Sequence, residues 1–180
     1  MEFFKNYFTL VCGKIISQSS DALYRVSELV KNAASSEQKI IIAGNGGSAA
    51  MASHVAVDFT KAAGIRAINF NEADLITCFA NDYGYENWVA KAIEAYGDPG
   101  DLVILISSSG RSPNIINAAS YAKQNGFPVV TLSGFDSDNP LRKMGDVNFW
   151  VDSKSYNIVE MTHHIWLLSV VDYIISEANT

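Results

Sequence analysis

Two groups of residues in this 180-residue chain have types and spacings that could do chemistry. The first is the run Ser107-Ser108-Ser109-Gly110-Arg111-Ser112-Pro113-Asn114, directly after an apolar stretch rich in β-branched residues. Ser112 is placed as a helix N-cap and Pro113 as the first helical residue. Four hydroxyls and the free amides of a helix start can surround a phosphate without net positive charge. A merely polar turn accounts for Ser112-Pro113 but leaves the Ser triplet unmotivated. The second group is a pair of carboxylate-histidine spacings, His54 with Asp58 and Glu160 with His164, each four residues apart and so on one helix face. Such pairs suit Zn²⁺ or a similar ion. The competing reading makes His163 or His164 a packed or solvent-facing residue on an otherwise apolar helix.

A second loop has the composition of a ligand site. Ala43-Gly44-Asn45-Gly46-Gly47-Ser48 follows the apolar run Ile40-Ile41-Ile42 and leads into a helical pattern. Its glycines allow a sharp turn and close approach to a ligand. Read through Gly44, Gly46 and Ala49, with Glu72 as a ribose-binding acid, it could be a dinucleotide fingerprint. A tight strand-to-helix turn is the plainer alternative. A dinucleotide enzyme has no use for the second, Ser-rich loop, whereas a sugar-phosphate enzyme needs it. Arg111 could assist at that loop or be only solvated, and Arg25 and Lys61 could each reach the ligand of a neighbouring subunit.

The elements that must position these loops follow from periodicity. Apolar residues at Phe4, Tyr7, Phe8, Val11 and Ile15, then Leu23, Val26, Leu29 and Val30 after a capping Ser19-Ser20-Asp21, predict two N-terminal helices. Short β-branched or aromatic runs at 40–42, 67–70, 102–106, 128–132 and 147–151 predict five buried strands. Helical stretches fall at 48–61, 86–96, 112–124 and 157–177. This alternation calls for an α/β fold, a doubly wound five-stranded parallel sheet flanked by helices, with ligands at the strand C-termini. One domain is expected over 1–180, with the N-terminal helices at 1–36 and the α/β sandwich at 37–180.

Composition narrows the function classes. Hydrophobic residues make up 48% and charged residues 18%, enough apolar chain for a real core. The net charge of −6 and the lack of a basic run argue against nucleic acid or an anionic membrane as partner. Cys12 and Cys78 have no CxxC spacing, which suits a reducing compartment. The first residues lack a signal-peptide pattern, and the late apolar stretch 165–175 is cut by Ser169 and Asp172, so a soluble cytoplasmic protein is expected. Trp88, Trp150 and Trp166 fall in apolar patterns and read as core or subunit interface.

Four stretches in order carry a family resemblance: Gly44-Asn45-Gly46-Gly47-Ser48-Ala49-Ala50, His54 with Asp58, Ala80-Asn81-Asp82-Tyr83-Gly84-Tyr85-Glu86, and Ile106 to Asn114. Over essentially its whole length the chain resembles the sugar isomerase (SIS) fold and, within it, the phosphoheptose isomerases. The resemblance implies a homotetramer that converts sedoheptulose 7-phosphate to glycero-manno-heptose 7-phosphate on the way to bacterial surface polysaccharide. It implies that Ser107, Ser108, Ser109 and Ser112 hold the phosphate and that Asn45, Gly46 and Ser48 contact the sugar chain. Asp82 would orient hydroxyls near the reacting end.

The family's helix motif His-x-x-x-Glu supplies a base and metal ligands, and its last helix supplies a Gln and, eight residues later, an acid/base His. Here Asp58 replaces the Glu, as in relatives that also carry a Lys three residues on, like Lys61. Glu160 stands at the Gln position and Leu168 at that of the acid/base His. His164, one turn earlier than Leu168, could stand in for it, although one turn moves a side chain by about 5 Å. The expected assignments are therefore Asp58 and His164 as base and acid, and His54, Asp58 and Glu160 as ligands of a Zn ion. Because of Leu168, a non-catalytic SIS protein that binds a sugar phosphate or docks a protein partner is the alternative to the isomerase; an NAD-dependent oxidoreductase is a third reading.

Overall fold

The structure, a computed structural model, describes residues 2–178. Helices α1 (Glu2–Ile16) and α2 (Ser20–Ser35) come first, and the Ser19 side chain caps α2 by accepting from the Asp21 amide. Then follow β1 (Ile40–Gly44), α3 (Gly47–Lys61), β2 (Ala67–Asn69), α4 (Ala73–Tyr83), α5 (Trp88–Tyr96) and β3 (Leu102–Ser107). The chain continues through α6 (Pro113–Gln124), β4 (Val129–Gly134), a 3-10 turn at Pro140–Lys143, β5 (Val147–Val151) and α7 (Tyr156–Ala178). The five expected strands are all present and all paired in parallel, in the order β2-β1-β3-β4-β5.

Alternate residues of the central strands face opposite layers, which is why these strands read as unbroken apolar runs. Ile40, Ile42, Leu102, Ile104 and Ile106 pack with Val26 and Val30 of α2, Val55 and Phe59 of α3, and Trp166 and Val170 of α7. Ile41, Ala43, Val103 and Leu105 pack on the other side with Val89 and Ile93 of α5 and Ile115 and Ala119 of α6. Helix α4 is the element that periodicity left unassigned. None of its residues is fully buried, but Leu75, Ile76, Phe79 and Ala80 lie at helical spacing and pack half-buried against the α5 and α6 side of the core.

Helix α7 is the expected last helix, a single element of 23 residues. By length and composition it is apolar enough to cross a membrane, although the apolar run 165–175 within it is short. Half of that apolar window is buried inside the protein, where Val159, Trp166, Leu167, Val170 and Val171 join the core. Helix α1, like α4, buries no residue; it meets α7 through the Trp166 indole, whose N–H donates to the Ile15 carbonyl at 2.9 Å.

The strand order reverses direction between β1 and β3, since the chain passes from β1 outward to β2 and then returns to β3 on the other side. That reversal opens a crevice at the strand C-termini. Gly44 and Ile106 are register partners there, so the two polar loops that follow them emerge side by side.

Candidate functional site

The loop after β1 and the loop after β3 are tied together at that crevice by a reciprocal amide pair. The Asn45 side-chain amide donates to Asn114 Oδ1 and the Asn114 amide donates to Asn45 Oδ1, both at 2.9 Å. Tyr85, from the connection between α4 and α5, adds its hydroxyl to Asn45 Oδ1 at 3.2 Å. Asn114 is buried, so the pair has little water to compete with it.

Below this clasp lies a polar cavity lined by Asn45, Ser48, Ser107, Ser108, Ser109 and Ser112, with Tyr156 and Glu160 reaching in from α7. Six of the eight expected substrate-binding residues thus share one cavity. Ser107 donates from its hydroxyl to Ser112 Oγ at 3.0 Å, and Ser112 occupies the N-cap of α6 with Pro113 next, as its sequence predicts. The α6 dipole therefore points its positive end into the cavity. Gly46, at φ +54°, makes the turn into α3 and does not itself line the cavity. Asp82 also lies outside it, exposed on the last turn of α4, where it accepts from the Asn81 amide at 2.9 Å.

The cavity has support that sequence reasoning did not single out. Gly110, at φ +64°, sits so close to Asn139 that an added Cβ would fall 1.9 Å from Asn139 Oδ1. Asn139 is fully buried and donates to the Gly134 carbonyl at 3.1 Å, and the Gly134 amide donates to the Ser108 carbonyl at 2.9 Å, which ties the Ser loop to the end of β4. Its only sequence signal is the Asn-Pro dipeptide, which marks a turn and nothing more. Arg111 is turned away from any anion in the cavity; its guanidinium bonds Asp138 at 3.1 Å and faces Asp136 at 3.8 Å.

The histidines separate by role. His163 is fully buried, its Nε2 2.9 Å from the Ser133 carbonyl, and burial lowers its pKa from 6.5 to about 4. It is a neutral core residue, as the packed reading holds. His164, one residue on, faces His54 across α3 and α7 with ring centroids 4.8 Å apart, and His54 Nε2 lies 3.4 Å from Asp58 Oδ2. Burial first, then His54, lowers the His164 pKa, opposed by Asp58, so the ring is neutral near pH 7. Leu168 packs against the main core and offers no acid/base group.

The expected ligand set of His54, Asp58 and Glu160 does not converge. Among the described residues no three His, Cys, Asp or Glu side chains gather as a metal site. Glu160 lies over Gly47, at the first turn of α3, where a Cβ would meet its Oε2 at 2.2 Å, and it accepts from Ser108 Oγ at 3.4 Å. His54 is seven residues further along α3, about 10 Å by helix rise. The residues present therefore do not fit a Zn ion held within one chain.

Residues 3–134 match the SIS domain family. A phosphoheptose isomerase of Fusobacterium nucleatum is 37% identical over 153 residues, 82% of this chain and 78% of the relative. Another, of Sulfurimonas denitrificans, is 38% identical over 133 residues, 71% of this chain and 68% of the relative. A solved phosphoheptose isomerase of Neisseria gonorrhoeae superposes with a TM-score of 0.87 at 26% identity, covering 97% of this chain and 98% of that one.

Proposed function

The chain belongs to the phosphoheptose isomerases of the SIS domain family, and from that premise we propose how its residues carry out the reaction. It is an aldose-ketose isomerase acting on sedoheptulose 7-phosphate, and the product, D-glycero-D-manno-heptose 7-phosphate, serves heptose biosynthesis. Supply of a bacterial surface polysaccharide is the destination we assign to that product. The observation that carries this reading is the Ser-lined cavity at the crevice between β1 and β3.

The phosphate sits among Ser107, Ser108, Ser109 and Ser112 at the positive end of α6. Asn45 and Ser48, on the same cavity wall, meet the first hydroxyls of the carbon chain, and Asp82 orients hydroxyls nearer the reacting end. Isomerisation removes a proton from C1 of the open-chain ketose, passes through an enediolate and returns a proton to C2. Asp58 is the base for that transfer. Neutral His164, on the far side of His54, moves the proton between the two oxygens, a role a neutral imidazole performs by donating and accepting in turn.

Ser48 and His54 are six residues apart on α3, about 9 Å by helix rise, and Asp58 lies one turn beyond. The acid/base groups are thus set well away from the phosphate, as a substrate with a long carbon chain requires. Exposed Val57, Met161 and Ile165 occupy the same α3 and α7 helices as this cluster. We assign a homotetramer whose contacts cover that apolar surface.

The deciding experiment follows sedoheptulose 7-phosphate by NMR with purified protein, beside a thermal-shift measurement of binding. Aldose formation supports the isomerase. Stabilisation without product at high protein concentration rejects it in favour of a binding protein.

A further inference from the structure

Glu160 is a carboxylate placed inside an anion cavity, where it has no evident business. The cavity it shares with Ser107, Ser108, Ser109 and Ser112 contains no cation, since Arg111 is held by Asp136 and Asp138. The carboxylate is built in rather than incidental. It lies over the Cα of Gly47, in space that the Cβ of any other residue would fill, and it accepts the Ser108 hydroxyl at 3.4 Å. The Ser48, Ala49 and Ala50 amides at the start of α3 are already bonded to the Asn45 and Gly46 carbonyls. The Ile115 and Ile116 amides at the start of α6 are bonded in the same way to the Ser112 carbonyl, and the Ser loop that leads into α6 lies on the Ser108 side of the carboxylate.

A phosphate held by Ser108 brings its oxygens within about two hydrogen-bond lengths, roughly 6 Å, of the Glu160 carboxylate. Like charges at that separation repel appreciably in a half-enclosed site. An ionised carboxylate is acceptor-only, so it gains from a neighbouring hydroxyl and loses from a neighbouring anion. We propose that Glu160 is a specificity-determining residue that disfavours bare phosphate and favours phosphoesters with a hydroxyl on the carbon next to the ester-bearing carbon. Such ligands are polyol phosphates. The hydroxyl donates to Glu160 while the phosphate engages the Ser loop, and the pair of contacts is satisfied only together. This gives the chain a means of rejecting the free phosphate around it by repulsion as well as by contact. The proposal rests on the reading of the Ser-lined cavity as the phosphate site.

The test is calorimetric titration of the wild type and Glu160→Gln with inorganic phosphate, methyl phosphate and glycerol 3-phosphate. Gln keeps shape and an acceptor oxygen and removes the charge. The wild type is expected to bind glycerol 3-phosphate about tenfold more tightly than methyl phosphate. In Glu160→Gln, inorganic phosphate and methyl phosphate are expected to bind about tenfold more tightly than in the wild type, so that the preference for glycerol 3-phosphate shrinks. Unchanged or weaker inorganic phosphate binding by Glu160→Gln, in a variant with a wild-type circular dichroism spectrum, overturns the role of Glu160 and leaves the cavity assignment standing. If neither protein binds any of the three, the cavity assignment itself fails and takes this inference with it. Glu160→Ala serves as a second variant: it also removes the charge, and must tighten inorganic phosphate binding if repulsion is the cause.

Discussion

Asp58 and His163 show how two residues on neighbouring helices come to opposite uses. Asp58 is half-exposed, and its ion pair among the described residues is with His54 across one helical turn, which suits the base proposed for it. Asp58→Asn keeps the shape and removes the proposed base. Aldose formation from sedoheptulose 7-phosphate should fall by at least about a hundredfold, with inorganic phosphate binding unchanged because the cavity lies at the other end of α3. Activity within a few-fold of wild type would remove Asp58 from the mechanism. His163 is held neutral by burial, with its pKa lowered from 6.5 to about 4. Between those values an unfolded chain carries a proton on this ring that the folded chain does not. Stability from this residue is therefore complete above pH 6.5 and is lost as the pH falls towards 4, by about 3 kcal/mol. Urea unfolding at pH 7 and pH 4.5 should show a steeper loss for the wild type than for His163→Gln; parallel losses would mean that the ring takes up its proton without unfolding.

At the scale of elements, the crevice depends on two loops being locked to each other, and the Asn45–Asn114 pair does the locking. Asn114→Ala leaves the Asn45 amide without its partner in a part-buried place, which costs about 1–3 kcal/mol. It should lower the denaturation midpoint and weaken inorganic phosphate binding together, since the loop after β1 then loses its reference to the loop after β3. A variant that loses stability but binds phosphate as before would show that the loops are held independently. This pairing also marks where sequence stops informing. The strands were legible because both faces of a parallel sheet are buried, which leaves unbroken runs such as Ile40-Ile41-Ile42. The start of α6 was legible because Ser112-Pro113 is a local capping signal. Helix α4 was missed although Leu75, Ile76, Phe79 and Ala80 lie at helical spacing, because it is short and none of these residues is fully buried. The contacts of Asn45 with Asn114, of Gly110 with Asn139 and of Gly47 with Glu160 join positions 69, 29 and 113 residues apart. Only the sheet order brings them together. Residue spacing and the family resemblance therefore put Glu160 with His54 in a metal set, whereas the packing of α7 against the start of α3 puts it in the Ser-lined cavity.

For the whole molecule, the unbalanced feature is apolar surface that one chain leaves uncovered. Helix α1 buries nothing, yet Phe3, Phe4, Tyr7 and Phe8 form a chain of ring contacts along it, with centroids 5.4 to 6.2 Å apart. Phe8, Cys12 and Ile16 continue that strip as the wall of an open groove. Scattered exposed apolar residues are ordinary, but a continuous aromatic strip on a helix that buries none of its residues calls for a partner surface. A second copy of the chain supplies one of the same kind, which is how closed symmetric assemblies form. The double substitution Phe4→Asp with Phe8→Asp should therefore leave the fold intact, because neither ring belongs to the core, while shifting the protein from the proposed tetramer to smaller species in analytical ultracentrifugation. Isomerase activity should fall with the assembly, since His54, Asp58 and His164 share their helices with three further exposed apolar residues, Val57, Met161 and Ile165. A wild-type chain that sediments as a monomer and still forms aldose would separate the chemistry from any partner subunit and leave the aromatic strip of α1 unexplained.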